Sequence, residues 1–364
     1  MPLWHNFFGF RANWRPHIDT LIDSGYTYSA LDHTHSPIHP FMLDNDQPRP
    51  TVEVLRASHG LAVGVVDVGA TIQSISVPTA QGRTDVILSY AELGRYLTDT
   101  YYVGSTVGPV ANRIRNAKFK LDDTLYHLDA NDADRGNCLH GGTRGLNRQR
   151  FSLQREKNRP LIRCLIDLPH SFDGFPGNRS FEVAYELVDK WSLAIDFTAT
   201  TDRDTVINLA NHAYFNLGGN LDDHRIRVLS ESLTAVDNLV VPTGELRKVH
   251  GTEYDLREMQ PLGDRQFDHN YVLGDARTEP RLAAQLQSTT TGLQLNVLTT
   301  QPGIQVYTGD YLSDPFHPRQ GICFEAQGFP DAPNQPNFPS VRLEAGATYW
   351  QRTIYQFSRT GDRN

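Results

Sequence analysis

From Thr51 onward the chain is written in short runs of alternating apolar and polar residues, each closed by Gly, Asp, Asn or Pro. That rhythm limits its fold more than any other feature. Residues 52–55, 61–66 and 71–77 come first, then 161–168, 180–188 and 192–200, and later 293–298, 303–308 and 322–327. In an extended strand successive side chains point to opposite faces, so each run reads as a strand with one buried face. Helical periodicity is nearly absent, and residues 91–97 make at most a short helix. Many strands at this spacing imply an all-β chain folded as an antiparallel sandwich or barrel in one domain, over residues 51–360.

Residues 1–50 differ. They hold Pro and His clusters with little periodicity and read as an N-terminal extension, ordered only if it docks on the body. Its tract His33-Thr-His-Ser-Pro-Ile-His39 reads as a solvated tail rather than a metal site. The formal net charge is −8, with no basic run to track phosphates, which disfavours nucleic acid and anionic membrane surfaces. No apolar stretch reaches the ~20 residues of a membrane span, and the N-terminus lacks a signal-peptide pattern. The three cysteines, Cys138, Cys164 and Cys323, show no CxxC spacing. Cys164 and Cys323 lie in apolar runs and read as buried free thiols of a reducing compartment. The expectation is a cytoplasmic protein, monomeric or homodimeric.

The most informative segment is residues 205–218. Read as a strand, it puts Ile207, Leu209, Ala213, Phe215 and Leu217 on one face and Asn208, His212, Tyr214 and Asn216 on the other. The second face is polar yet uncharged. Amides, an imidazole and a phenol suit a neutral polyol; a buried network tying two sheets together would use the same residues. Residues 321–328 behave similarly, with Ile322 and Phe324 opposite Glu325 and Gln327. A carboxylate inside such an apolar strand is either paired with an arginine or functional, because burial raises its pKa and makes it a usable base. Gln305 stands opposite Ile304 and Val306. Asn112 and Arg113 lie in a segment otherwise poor in charge. His140 precedes paired glycines, where backbone can approach a ligand, although a histidine in such a turn is often structural. Asp268-His269-Asn270 is a polar cluster that also reads as an Asx turn.

Motifs for other chemistry are missing. There is no HExxH, no P-loop, no GxGxxG opening a helix and no GxSxG. No cofactor and no metal are signalled.

These segments together resemble the aldose 1-epimerase (galactose mutarotase) family. Residues 208–217 resemble its Asn-x-Thr-Asn-His-x-Tyr-Phe-Asn-Leu signature. Residues 108–119, 139–145, 173–178, 242–245, 268–270 and 301–312 resemble further blocks in order, as do Glu325-Ala-Gln and residues 330–339. The resemblance covers residues 51–358. It implies one large antiparallel β-sandwich, the galactose mutarotase-like supersandwich, with few short helices and a sugar in an open cleft. It implies an isomerase of carbohydrate metabolism that interconverts the α and β anomers of a free aldohexose such as galactose or glucose. Glu325 then matches the base at the anomeric hydroxyl and His212 the acid at the ring oxygen. Asn112, Arg113, His140, Asp268 and Gln305 match sugar-contacting positions, with His140 sometimes given a share in the proton transfer. Ala210, Pro109 and Ala326 stand where Thr, Arg and Thr are usual; none is a proton carrier.

Ring opening of a hemiacetal needs one proton removed and one delivered, with no redox partner. Two rivals use the same fold. An epimerase for a phosphorylated hexose would recruit Arg113, Arg115, Arg144 and Arg148 for the phosphate. A non-catalytic sugar-binding module would dispense with the acid–base pair.

Overall fold

A computed structural model describes residues 48–79, 82–132 and 134–359. The extension expected over residues 1–50 therefore falls, but for its last three residues, outside the described part. Two sheets dominate. The larger runs Ser152–Arg155, Leu161–Leu168, Arg179–Leu187, Ser192–Thr201, Thr348–Arg359, Leu293–Thr299, Arg281–Ser288, His224–Val228 and Gln260–Pro261, in spatial order. The second runs Tyr214–Phe215, Ile322–Gln327, Gly303–Tyr307, Asp268–Val272, Ser232–Val236 and Pro242–Lys248. A four-stranded sheet over Val52–Arg56, Ala62–Val66, Thr71–Thr79 and Gly82–Asp85 adds to them. Neighbouring strands in all three are antiparallel. The all-β expectation holds, and the helix expected at 91–97 is one 3-10 segment, Leu93–Leu97. No helix among the described residues is long and apolar enough to cross a membrane.

The period-two pattern drives this arrangement. The large sheet turns Phe181, Val183, Tyr185, Leu295, Val297, Tyr355 and Phe357 inward, and the second sheet answers with Tyr271, Ile304, Val306 and Phe324. All belong to one core, and each fully buried apolar side chain contributes roughly 1.5–3 kcal/mol. With those faces committed to the core, the opposite face of the second sheet is free for polar residues.

One expectation is corrected. Residues 205–218 are not a single strand. They form three two-residue pieces, each with a different partner: Thr205–Val206 with Arg342–Leu343, Ala210–Asn211 with Thr106–Val107, and Tyr214–Phe215 with Cys323 and Ile322. The segment crosses between sheets, so its ladder restarts at each neighbour. The alternation survives the breaks, and Ile207, Leu209, Ala213, Phe215 and Leu217 all enter the core.

Candidate active site

Strand register alone builds the floor of the site. Asn270 pairs with Gln305, and Gln305 with Glu325. One row over, Asp268 pairs with Tyr307, Tyr307 with Cys323, and Cys323 with Tyr214. Residues two apart share a face, so Asp268, Asn270, Gln305, Tyr307, Cys323 and Glu325 form one polar patch. Asp268–Val272 is a strand, not the Asx turn that its composition also allowed. His269 faces away from the patch and packs on Tyr254.

His212 reaches this patch from the broken segment. Its backbone is held on both sides: its N–H donates to the Ser105 carbonyl, and its carbonyl accepts the Gly104 N–H. Its Nε2 lies 3.7 Å from Glu325 Oε1, and its Nδ1 lies 3.5 Å from Cys323 Sγ. Both members of the pair are buried, His212 at 4% and Glu325 at 2% exposure.

The third element is a short ladder in which Arg113 pairs with Leu139 and Ile114 with Cys138. It places Asn112 beside His140. The Asn112 N–H donates to His140 Nδ1 at 3.1 Å, and the His140 N–H donates to the Asn112 carbonyl at 2.9 Å. Both residues adopt positive φ. Gly141 follows at φ +91°, where a Cβ would come 2.0 Å from the Gly108 carbonyl oxygen, so only glycine fits this turn. Arg113 Nε donates to Asp132 at 2.9 Å. Gln305 donates to Asp268 Oδ1 at 2.6 Å.

All seven residues singled out in the sequence thus fall within one constellation. The His140 ring lies 5.2 Å from that of His212. The rest of the expected polar face does other work. Asn208 donates to the Gly328 carbonyl and accepts the Gly328 N–H at 2.7 Å. Asn216 donates to the Gln320 carbonyl and accepts the Gly218 N–H. Tyr214 donates to the Tyr101 carbonyl. These residues tie segments together, and only His212 of that row reaches the carboxylate. Ala210 packs with Val107, Ala111 and Tyr102, an apolar setting with no evident partner for a hydroxyl.

Sequence reasoning missed Tyr102, Tyr307, Asp132 and Cys323. The Tyr102 ring lies 4.6 Å from His140 and 5.7 Å from His212, and Tyr307 lies 6.4 Å from His212. Tyr307 was readable from its two-residue spacing to Gln305. Nothing local to Tyr102 or Asp132 betrays its place.

Burial sets the electrostatics. It pushes the Glu325 carboxyl well above the ordinary range, with the Asp268 charge adding and Arg113 opposing. Burial drives His212 down to about 4. It also holds His140 well below its ordinary value, helped by His212 and Arg113. Burial disfavours both charged forms and so reverses the order of the pair, leaving its proton on Glu325 and His212 neutral in the sugar-free site. His140 is confined further. The Asn112 N–H can only donate, so Nδ1 stays a lone pair and Nε2 carries the proton. His140 is built as a neutral donor, which argues against a share in the proton transfer.

The ligating atoms of His140, His212 and Glu325 lie within 4.8 Å of one another. That spread would have to contract for all three to meet one ion at bonds of about 2.1 Å. Among the described residues this is the one such group that includes both proton-transfer candidates. Glu325 Oε2 and Gln305 Oε1 are buried acceptors without hydrogen-bond partners. The arrangement can bind a donor-rich neutral molecule and exchange protons with it.

The family profile described as Aldose 1-epimerase matches residues 52–356. Galactose mutarotase of Homo sapiens is 37% identical over 318 residues, covering 82% of this chain and 91% of that protein. Aldose 1-epimerase of Escherichia coli (strain K12) is 30% identical over 342 residues, covering 87% and 98%. The crystal structure of the GalM/aldose epimerase homologue from C. elegans superposes with TM-score 0.80 at 27% identity, covering 85% of this chain and 99% of that one.

Proposed function

This chain belongs to the aldose 1-epimerase family, and from that premise we propose that it interconverts the anomers of a free aldohexose, such as galactose or glucose, with Glu325 and His212 exchanging the protons. The observation that carries this reading is the pair itself. Two buried titratable groups face each other at 3.7 Å, too far for a direct hydrogen bond and close enough for each to reach a different oxygen on one carbon. In a hemiacetal those oxygens are the anomeric hydroxyl and the ring oxygen, both on C1.

Glu325 takes the proton from the anomeric hydroxyl while His212 delivers one to the ring oxygen. The C1–ring-oxygen bond breaks and an open-chain aldehyde forms. Rotation about C1–C2 turns the other carbonyl face to the ring hydroxyl, and reclosure with the two roles reversed gives the other anomer. Desolvation keeps the pair's proton on Glu325 in the sugar-free site, so ring opening in this direction starts from the minor form with the proton on His212, in which both displacements strengthen the reacting groups. A carboxylate with a raised pKa is a stronger base, and an imidazolium with a lowered pKa is a stronger acid. The pair must hold one proton in total. It does so from about pH 4, where His212 titrates, up to the raised value of Glu325.

Asn112, Arg113, His140, Asp268 and Gln305 position the sugar in this account. His140 offers an Nε2–H donor, and Gln305 Oε1 and Glu325 Oε2 offer unpartnered acceptors. Sugar hydroxyls satisfy all of these, which removes the penalty of leaving buried polar atoms unpaired.

The arginines argue against a phosphorylated substrate. Arg113 is held by Asp132, Arg115 by Asp237, and Arg144 by Asp173. Arg148 donates to the Leu97 carbonyl. Three of the four are already paired with an acid. The test is polarimetry of freshly dissolved α-D-galactose, α-D-glucose and a hexose 6-phosphate with the wild-type protein. Acceleration on a free sugar, with little on the phosphate, is expected. Spontaneous rates on every free aldohexose would overturn the reading.

A further inference from the structure

The His140 and His212 rings lie 5.2 Å apart, and their Nδ1 atoms have partners of different kinds. His140 Nδ1 accepts a backbone N–H from Asn112. His212 Nδ1 meets the Cys323 thiol at 3.5 Å. We propose that Cys323 is a positioning residue for His212: its thiol holds Nδ1 in either protonation state and so directs the exchanged proton to Nε2, the nitrogen that faces Glu325. This inference rests on the reading of His212 as a proton carrier.

A backbone N–H only donates, so it fixes the neutral ring of His140 and opposes a second proton there. A thiol is both a weak donor and a weak acceptor. When His212 is neutral, its Nδ1–H donates to the sulfur lone pair and Nε2 is free to take a proton. When His212 is protonated on both nitrogens, Nδ1–H donates to the sulfur lone pair. The ring can gain and lose a proton at Nε2 without losing its anchor at Nδ1. A carboxylate in place of the thiol would hold the imidazolium and weaken it as an acid.

The surroundings keep the sulfur in this role. Cys323 is fully buried, and burial first, then the charges of Glu325 and Asp268, pushes its thiol well above the ordinary value, so it stays S–H. Cys323 and Glu325 share one strand and one face, two residues apart. A single rigid element therefore fixes both the base and the anchor of the acid. The rings of Tyr214 and Tyr307, at 5.0 and 6.4 Å, flank the imidazole and limit its swing.

The test uses three variants of the full chain and two readouts. In sugar-free wild-type protein labelled with ¹⁵N-histidine, His212 is expected to show a protonated Nδ1 and an unprotonated Nε2. Cys323→Ala is expected to populate the other tautomer and to lower kcat roughly 2- to 10-fold, the weight of one modest hydrogen bond, with KM nearly unchanged. Cys323→Ser, which restores a group that donates and accepts, is expected to recover the wild-type tautomer and much of kcat. Glu325→Gln is expected to lower kcat by about 10²–10⁴ while leaving the His212 tautomer as in wild type. An Nε2–H tautomer in the wild type overturns the proposal. So does a Cys323→Ala variant whose tautomer and kcat both match wild type, or whose tautomer changes with no effect on kcat. A Glu325→Gln variant as fast as wild type would instead overturn the catalytic reading and leave the tautomer result standing.

Discussion

Replacing Asn208 by alanine separates the structural from the sugar-binding residues of the polar row. The Asn208 amide is 1% exposed and spends itself on one residue, accepting the Gly328 N–H at 2.7 Å and donating to the Gly328 carbonyl at 3.2 Å. Gly328 directly follows the strand that carries Glu325. Alanine leaves one buried donor and one buried acceptor unpaired. Each unpaired group is worth about 1–3 kcal/mol, so Asn208→Ala should lose about 2–6 kcal/mol of stability. Urea unfolding at 25 °C, with the midpoint and slope compared to wild type, measures this directly. His212→Asn is the control, since it removes no backbone hydrogen bond; it should keep most of the stability and lose the activity. If Asn208→Ala unfolds within about 0.5 kcal/mol of wild type and instead raises KM, Asn208 holds sugar rather than backbone, and this division of the row is refuted.

Three further outcomes follow from the site. Asp132→Asn frees Arg113 from its 2.9 Å ion pair and should raise KM for the sugar about 5- to 10-fold with kcat little changed; an equal fall in kcat would contradict a purely positioning role for Arg113. The acid limb of the kcat/KM profile should lie near pH 4, because below that value His212 takes a second proton and the pair holds no base; a limb near the ordinary histidine value of about 6.5 would show that His212 is not desolvated in solution. Gly141→Ala should destabilise the protein and disable it together, since its Cβ would lie 2.0 Å from the Gly108 carbonyl oxygen in a turn that aims His140; a stable, fully active variant in thermal unfolding and polarimetry would refute the turn.

Much of this was legible in the sequence, and the reason is the period of two. Leu161–Leu168 and Ile322–Gln327 match the expected runs end to end, because long alternation states both the strand and its buried face. The same alternation put Glu325 beside Gln327 and Gln305 opposite Ile304. It misled at residues 205–218, where the phase is right but the ladder is broken across three partners, and where Asn208 and Asn216 bind backbone. Composition cannot tell an amide that meets a sugar from one that meets a carbonyl. The Asn112–His140 couple and the Arg113–Asp132 pair were invisible as pairs, because each depends on a ladder between segments about twenty or more residues apart. Cys323 was read correctly as a buried free thiol, but its contact with His212 spans 111 residues of chain and leaves no local trace.

The central claim is that Glu325 and His212 together carry the protons of anomer exchange. Polarimetry of fresh α-D-galactose with wild type and with Glu325→Gln, each checked for a native circular dichroism spectrum, tests it most directly. The amide keeps the shape of the carboxylate but cannot take the anomeric proton, so kcat should fall by about 10²–10⁴. A Glu325→Gln protein that relaxes the sugar as fast as wild type would contradict the account.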